Sequence, residues 1–255
     1  MATYLITGAS RGIGFSLAAA LASEPASVAS LVFLTSRNTN TPQIAELVEK
    51  TQGRIVPVQL DPNDPESLRA AAESVEARVQ GLGLDVLVNN AGVMRFTGGK
   101  VGELTPTELT EVFHTNVTLT QLVTVAFLPL LRQGSRKIIA NISSTVGSIT
   151  LGPAFAMNSA HAYKISKAAM NMLTMQYALD YKDEGFTAFA LSPGWLRTEL
   201  GGPYADLPVE VGTKEVLGYL KEAGPDFNGR FLNIHVPGWE NAPESNRYDG
   251  KDAPW

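Results

Sequence analysis

The chain has 255 residues, 44% of them hydrophobic and 18% charged, with a net charge of −5 and no cysteine. That length suffices for one large α/β domain with a full core. The acidic balance, without any basic run, argues against nucleic-acid binding through phosphates, and the lack of cysteine excludes disulfides, thiolate metal sites and a thiol nucleophile.

The N-terminus enters an apolar strand at residues 2–7 and then meets glycine, with neither the basic stretch nor the long apolar core of a signal peptide. Gly8, Gly12 and Gly14 follow that strand and open a helix, with Ser10, Arg11 and Ile13 among them. Glycine permits the tight turn and lets backbone approach a pyrophosphate; the helix N-terminus adds free N–H groups. Gly8-Ala9-Ser10-Arg11-Gly12 also satisfies the G-x-S-x-G elbow of α/β-hydrolases. That reading fails in context. No earlier strand–helix loop can supply an oxyanion hole, and the only histidines are His114, His161 and His235. The second apolar run, 31–34, leads into Thr35-Ser36-Arg37-Asn38, which has no acid for a ribose 2′-hydroxyl and carries a cation. Arg11 and Arg37 together favour the 2′-phosphate of NADP.

Further runs follow at residues 55–58, 86–88, 137–142, 187–191 and 231–234. Continuous apolar strands between helical patterns predict a parallel sheet covered on both faces. Thr41-Pro42 opens one helix, and Asp64-Pro65-Glu66 opens another that runs to about Val79. Thr105-Pro106-Thr107-Glu108 is a capping box with proline at the first helical position, predicting a helix to about Leu131. No apolar stretch is expected to reach membrane-spanning length free of charge and glycine. Asn116-Val117-Thr118 and Asn141-Ile142-Ser143 fit the glycosylation pattern but fall on a helix and a buried strand, so they are set aside. No His/Asp/Glu cluster has metal-ligand spacing. From Gly224 onward Gly, Pro and Asn are frequent, and Pro237, Pro243 and Pro254 break periodicity. Trp239, Tyr248 and Trp255 are costly to leave in water, so residues 224–255 are expected to hold a last strand and a tail folded over a single domain, 1–255.

The chemistry centres on Tyr163-Lys164-Ile165-Ser166-Lys167. A tyrosine and a lysine four residues apart share one helix face. An ammonium close to the phenol favours the phenolate and should draw its pKa from about 10 toward the working range. With the glycine loop, Asn141-Ile142-Ser143-Ser144, Asn89-Asn90-Ala91-Gly92, Asn116, and Pro193-Gly194 followed by Thr198, the chain resembles the short-chain dehydrogenase/reductase family in its single-domain form. Within it, the segments 141–147, YKISK and 192–195 and the proline–tryptophan ending are similar to sniffer-type carbonyl reductases and fungal ketoreductases.

The resemblance implies a Rossmann-type, doubly wound parallel sheet of about seven strands. It also implies NADPH-dependent reduction of a ketone or aldehyde, with a non-catalytic NADP-binding sensor or scaffold as the alternative. Ser144, by family register, and Tyr163 would bond the substrate oxygen, where placed donors stabilise growing negative charge; the adjacent Ser143 is the competing choice. Lys167 would also hold the nicotinamide ribose, and Asn116 a water leading to the lysine. Asp61 would meet the adenine, the backbone and asparagines of Asn89, Asn90, Ala91 and Gly92 the cofactor and the central sheet, and Pro193, Gly194, Trp195 and Thr198 the carboxamide and nearby phosphate. Met94, Phe96, Phe155, Met157, Trp195, Leu200 and Tyr204 are candidates for an apolar substrate pocket. The stretch between Ser144 and Tyr163 is longer than in many relatives, and the apolar character of Phe155 and Met157 predicts that both face a pocket shared with Trp195 and Tyr204. A homodimer is expected through the helices at 105–131 and 160–181, with a tetramer as the alternative and the cytoplasm as location. Ala168, Ala169, Met170, Met172 and Met175 make the second helix apolar on more than one face.

Overall fold

Each apolar run becomes a strand: β1 Ala2–Ile6, β2 Ala29–Ser36, β3 Ile55–Gln59, β4 Val86–Asn89, β5 Ile138–Ile142, β6 Thr187–Ser192 and β7 Phe231–Asn233. The computed structural model describes residues 1–242 and 246–255; Pro243, read above as a breaker, lies outside them. The strands form one parallel sheet in the order β3-β2-β1-β4-β5-β6-β7. This is the Rossmann-type, doubly wound fold. The order reverses between β1 and β4, and a crevice opens beyond the carboxyl ends of strands at such a switch point. Gly8 leaves β1 there and Asn90 leaves β4.

Helices α1 Gly12–Ser23, α2 Pro42–Lys50 and α7 Val209–Glu222 cover one face. Helices α3 Pro65–Val79, α5 Leu119–Gln133 and α6 His161–Asp180 cover the other. Alternation along the strands sorts the core. Tyr4, Ile6, Val86, Val88, Ile138 and Ala140 pack with Leu17, Leu21 and Val216, whereas Leu5, Leu87 and Ile139 pack with Val75, Phe127 and Tyr177. The predicted caps form. Thr41 accepts from the Ile44 N–H, Asp64 from the Glu66 N–H at 3.0 Å, and Thr105 and Glu108 bond reciprocally at 3.2 and 3.0 Å.

Two readings need correction. The helix expected from Thr105 to Leu131 is not uniform. An α segment, α4 Pro106–Phe113, passes into a π-helical turn, His114–Thr118, before α5 begins. π-turns insert a residue into the ladder and gather at functional positions; this one carries Asn116. The same stretch, Pro106–Gln133, is also long and apolar enough by length and composition to cross a membrane, since residues 112–131 hold no Asp, Glu, Lys, Arg or Gly. Its apolar side chains Val112, Val123, Phe127 and Leu131 are buried in the domain.

Beyond β7 the tail returns along the sheet edge. Gly250 N–H donates to Ile234 O at 3.1 Å and Ala253 N–H to Phe231 O at 2.8 Å. Trp255 stacks on Phe231 with ring centres 5.3 Å apart.

Candidate active site

The crevice begins at the glycine loop. Gly8 has φ +62°, and a Cβ there would lie 2.8 Å from Ala91 Cα. Only glycine allows the loop after β1 to touch the loop after β4. Two polar residues, Thr7 and Asn90, stitch the loops together. Thr7 Oγ1 accepts from the N–H groups of Asn90 and Ala91 at 2.9 and 3.0 Å, and Asn90 Nδ2 donates to Thr7 O at 2.8 Å. Thr7 has no role in the sequence reading; a threonine just ahead of the glycines was the available signal. Arg11 sits at the start of α1 with no side-chain cap, so the first N–H groups of that helix stay free. A Cβ at Gly12 would stand 3.6 Å from Thr198 Cγ2, which places Thr198 across the loop.

These features fit a dinucleotide: an uncapped helix start, a loop without side-chain bulk and no acid after β2. Arg37 is exposed beside Asp61, whose carboxyl is held below its usual range mainly by hydrogen bonds from Asn63, with Arg37 adding a smaller pull. Arg11, also exposed, pairs with Glu199 at 3.1 Å. Asn89 meets the sheet with its side chain, which is buried and donates to Thr124 Oγ1 at 3.0 Å and Asn141 Oδ1 at 2.8 Å.

Ser144 precedes the short turn Thr145–Gly147 after β5, half-buried, with its hydroxyl beside that of Tyr163, where it favours the phenolate. Ser143 points the other way: it is buried and donates to Asn171 Oδ1 at 2.6 Å. Alternation at the end of β5 thus separates the two serines. Lys167, one turn after Tyr163, is buried with its Nζ 5.5 Å from the centre of the Tyr163 ring. That amine donates to Ile142 O at 2.7 Å. The expected electrostatic order does not hold. Burial pushes the phenol up to about 12, and the neighbouring Ser144 hydroxyl only partly offsets it. Burial also pushes the Lys167 ammonium down to about 8. The amine lies over the ring and points to a carbonyl, so desolvation outweighs its pull on the hydroxyl. At neutral pH Tyr163 is therefore a protonated donor beside a charged lysine.

Asn116 is fully buried in the π-turn. Its Oδ1 accepts from Val93 N–H at 2.8 Å, and its Nδ2 donates to Val93 O and Ser166 Oγ, both at 2.9 Å. Ser166 Oγ in turn donates to Tyr163 O at 2.7 Å. The side chain thus clamps the segment after β4 to the catalytic helix. Ser166 was missed, though a small polar residue three positions after Tyr163 on the inner helix face was legible.

The apolar candidates divide. Phe155 ends the short turn Gly152–Phe155 and is buried, its carbonyl held by Lys164 Nζ at 2.6 Å. Met157 and Tyr204 are 97% and 89% exposed, and Phe96, Leu200 and Trp195 are exposed to lesser degrees. Met94 is half-buried. Of the pair Phe155 and Met157, only Phe155 turns inward as read from the sequence. Trp195 is fixed by its indole N–H, which donates to Gly201 O at 2.8 Å. Two surface clefts, of about 390 and 330 Å³, lie between α3 and α5 and at the amino end of the sheet; neither is lined by Tyr163.

The hydrolase alternative has no geometry. Ser10 follows β1 and His235 follows β7, four strand spacings of about 4.8 Å away. His114 and His161 bond Asn63 and Gly99 O instead. Among the described residues, no group of three or more His, Asp or Glu is placed to hold a metal.

The sequence pattern of the short chain dehydrogenases matches residues 2–206, which include the glycine loop, Ser144, Tyr163 and Lys167. The chain belongs to that family. It is 37% identical over 202 residues to the short-chain dehydrogenase/reductase AacuF of Aspergillus aculeatus, covering 76% of this chain and 74% of that protein. Among solved structures, the NADPH-bound carbonyl reductase from chicken fatty liver superposes with a TM-score of 0.85 at 33% identity, covering 99% of this chain and 94% of the other. The carbonyl reductase Sniffer of D. melanogaster gives 0.86 at 28% identity and covers both chains entirely. This short-chain dehydrogenase is therefore an oxidoreductase that resembles the sniffer-type and fungal members.

Proposed function

We propose that the protein is an NADPH-dependent reductase of ketones or aldehydes. The observation that carries this reading is the Ser144–Tyr163 pair, with a phenol held protonated by burial and a lysine one turn away. When bound, NADPH supplies a hydride. Everything else falls to the chain. The Gly8–Gly14 loop, with Ser10 and Ile13, and the start of α1 hold the phosphates. Arg11 and Arg37 take the 2′-phosphate, and Asp61 faces the adenine. Ala91, Gly92, Pro193, Gly194, Trp195 and Thr198 line the nicotinamide end, with Lys167 on the ribose. Ser144 and Tyr163 donate to the substrate oxygen, and Tyr163 gives its proton as charge grows there. Asn116 acts through the Val93–Ser166 clamp, which keeps Tyr163 in place.

The substrate is an apolar, aromatic carbonyl compound. Phe155 and Trp195 form the inner wall, with Met94, Phe96, Met157 and Tyr204 as a rim that a ligand would cover. We place the enzyme in the cytoplasm as a homodimer, with a tetramer as the alternative. Leu122, Val125, Met172 and Leu179 are exposed on α5 and α6 and carry the apolar face, whereas Met170 is buried within the protomer.

Cofactor choice tests the nucleotide half of this reading. NADPH is expected to exceed NADH in kcat/KM, and Arg37→Asp to lower the NADPH value about 10–100-fold, the size of one charge-assisted bond. Equal values for both cofactors in the parent enzyme would contradict it. The serine register is tested separately. Ser144→Ala should reduce kcat about 10²–10³-fold, as for other placed donors. Ser143→Ala should change turnover less than tenfold and act mainly on thermal stability, because it leaves buried Asn171 without a partner. The reverse ranking would move the catalytic role to Ser143.

A further inference from the structure

Tyr248 is a buried titratable group that the chemistry above does not use. Its hydroxyl accepts from Trp195 N–H at 3.1 Å and donates to Asp206 Oδ2 at 2.5 Å. Trp195 and Asp206 are the two stems of the loop that leaves β6 and returns to α7. Those stems are already paired: Arg197 N–H donates to Leu207 O at 2.9 Å and Leu207 N–H to Trp195 O at 3.1 Å. The Arg197 guanidinium adds bonds to the carbonyls of Ala205 and Asp206. One hydroxyl from the tail thus pins both stems at once.

The tail that presents it is anchored. Val236 N–H donates to Tyr248 O at 2.9 Å, the Tyr248 ring lies 5.3 Å from that of Trp239, and Arg230 forks onto Asp252. Farther along, Trp255 O accepts from Thr150 N–H at 3.2 Å and Thr150 Oγ1 at 2.9 Å. Thr150 lies on the loop between Ser144 and Tyr163. The tail therefore touches both loops that flank the reacting groups. Packing alone needs no hydroxyl at Tyr248, since phenylalanine would fill the same space. A buried hydroxyl with both a donor and an acceptor partner fixes direction as well as volume.

We propose that Tyr248 is a positioning residue for the substrate cleft, holding the Trp195 backbone, and with it the indole wall, in one place relative to Ser144 and Tyr163. This rests on the carbonyl-reductase reading. Burial and the Asp206 carboxylate both raise the phenol pKa, so the hydroxyl keeps its proton and goes on donating through the assay range.

Tyr248→Phe in the full chain is the test, with Asp206→Ala and Asp206→Asn beside it. In Tyr248→Phe, amide exchange at Trp195 should quicken at least tenfold while the β4 and β5 amides keep their protection. KM for a bulky aromatic ketone should rise about five- to tenfold, more than the NADPH Kd, because a misplaced wall weakens substrate binding and leaves the proton donor alone. Asp206→Ala should follow it, and Asp206→Asn, which keeps an acceptor for the hydroxyl, should stay near the parent. Unchanged exchange at Trp195 would overturn the proposal. So would a freed amide with an unchanged KM, which makes Tyr248 merely structural. If Tyr248→Phe does not fold, the contrast between Asp206→Ala and Asp206→Asn decides, and equal KM values for those two would overturn it. A parent enzyme that consumes no NADPH with any carbonyl compound would instead defeat the reductase reading, whatever the exchange at Trp195 shows.

Discussion

Tyr163→Phe is expected to lower kcat about 10²–10⁴-fold, the usual worth of a placed general acid, and to leave the NADPH Kd within about twofold. The ring stays, so the packing of a residue that is only 8% exposed is preserved. What disappears is the hydroxyl beside Ser144 and the proton it holds. Titration of NADPH by fluorescence, paired with single-turnover rates on a diketone, separates the two effects. A variant that retains more than a tenth of the parent rate would show that another group delivers the proton.

Lys167→Met should lower kcat at least hundredfold and yet melt at a higher temperature than the parent. The lysine is buried and its ammonium is pushed down to about 8, so at neutral pH the folded protein carries a desolvated charge. The sign follows from linkage. A lysine with a folded pKa below its unfolded value of about 10.4 destabilises the folded state fully below about pH 8. The penalty fades as pH rises through that window. Methionine removes it, at the smaller expense of one donor to Ile142 O. Each kcal/mol recovered raises Tm by about 2–4 °C in a chain of this size. The gain should therefore be larger at pH 7 than at pH 9.5 in cofactor-free protein. A lower Tm at pH 7 would mean that the Ile142 bond outweighs the desolvation.

The sheet, the caps and the glycine loop were legible because they are local. A run such as residues 86–88 has one periodicity, and Thr105 with Glu108 satisfies each other within one turn. Ser144 could be placed by register, and the structure adds why Ser143 is spoken for. What could not be read is settled by distant residues. The π-turn at Asn116 depends on Val93 and Ser166, one before it and one far after it. Proton affinities went astray for the same reason. Sequence spacing brings Lys167 beside Tyr163, but only the surrounding core decides that desolvation exceeds their attraction. Met157 and Tyr204 are apolar yet exposed, and side-chain chemistry alone cannot separate a rim from a wall. The Tyr248–Asp206 bond joins elements that meet only because the tail turns back along β7.

Transfer of label is the most direct test of the central claim. The enzyme should be incubated with NADPH deuterated at C4 of the nicotinamide and an aromatic diketone, and the product alcohol analysed by mass spectrometry and NMR. One deuterium on the carbinol carbon, in step with NADPH consumed and absent from the Tyr163→Phe reaction over the same time, is the predicted result. NADPH that binds with micromolar or tighter affinity but is never consumed, across small and bulky ketones and aldehydes, would contradict it and favour a cofactor-binding sensor or scaffold.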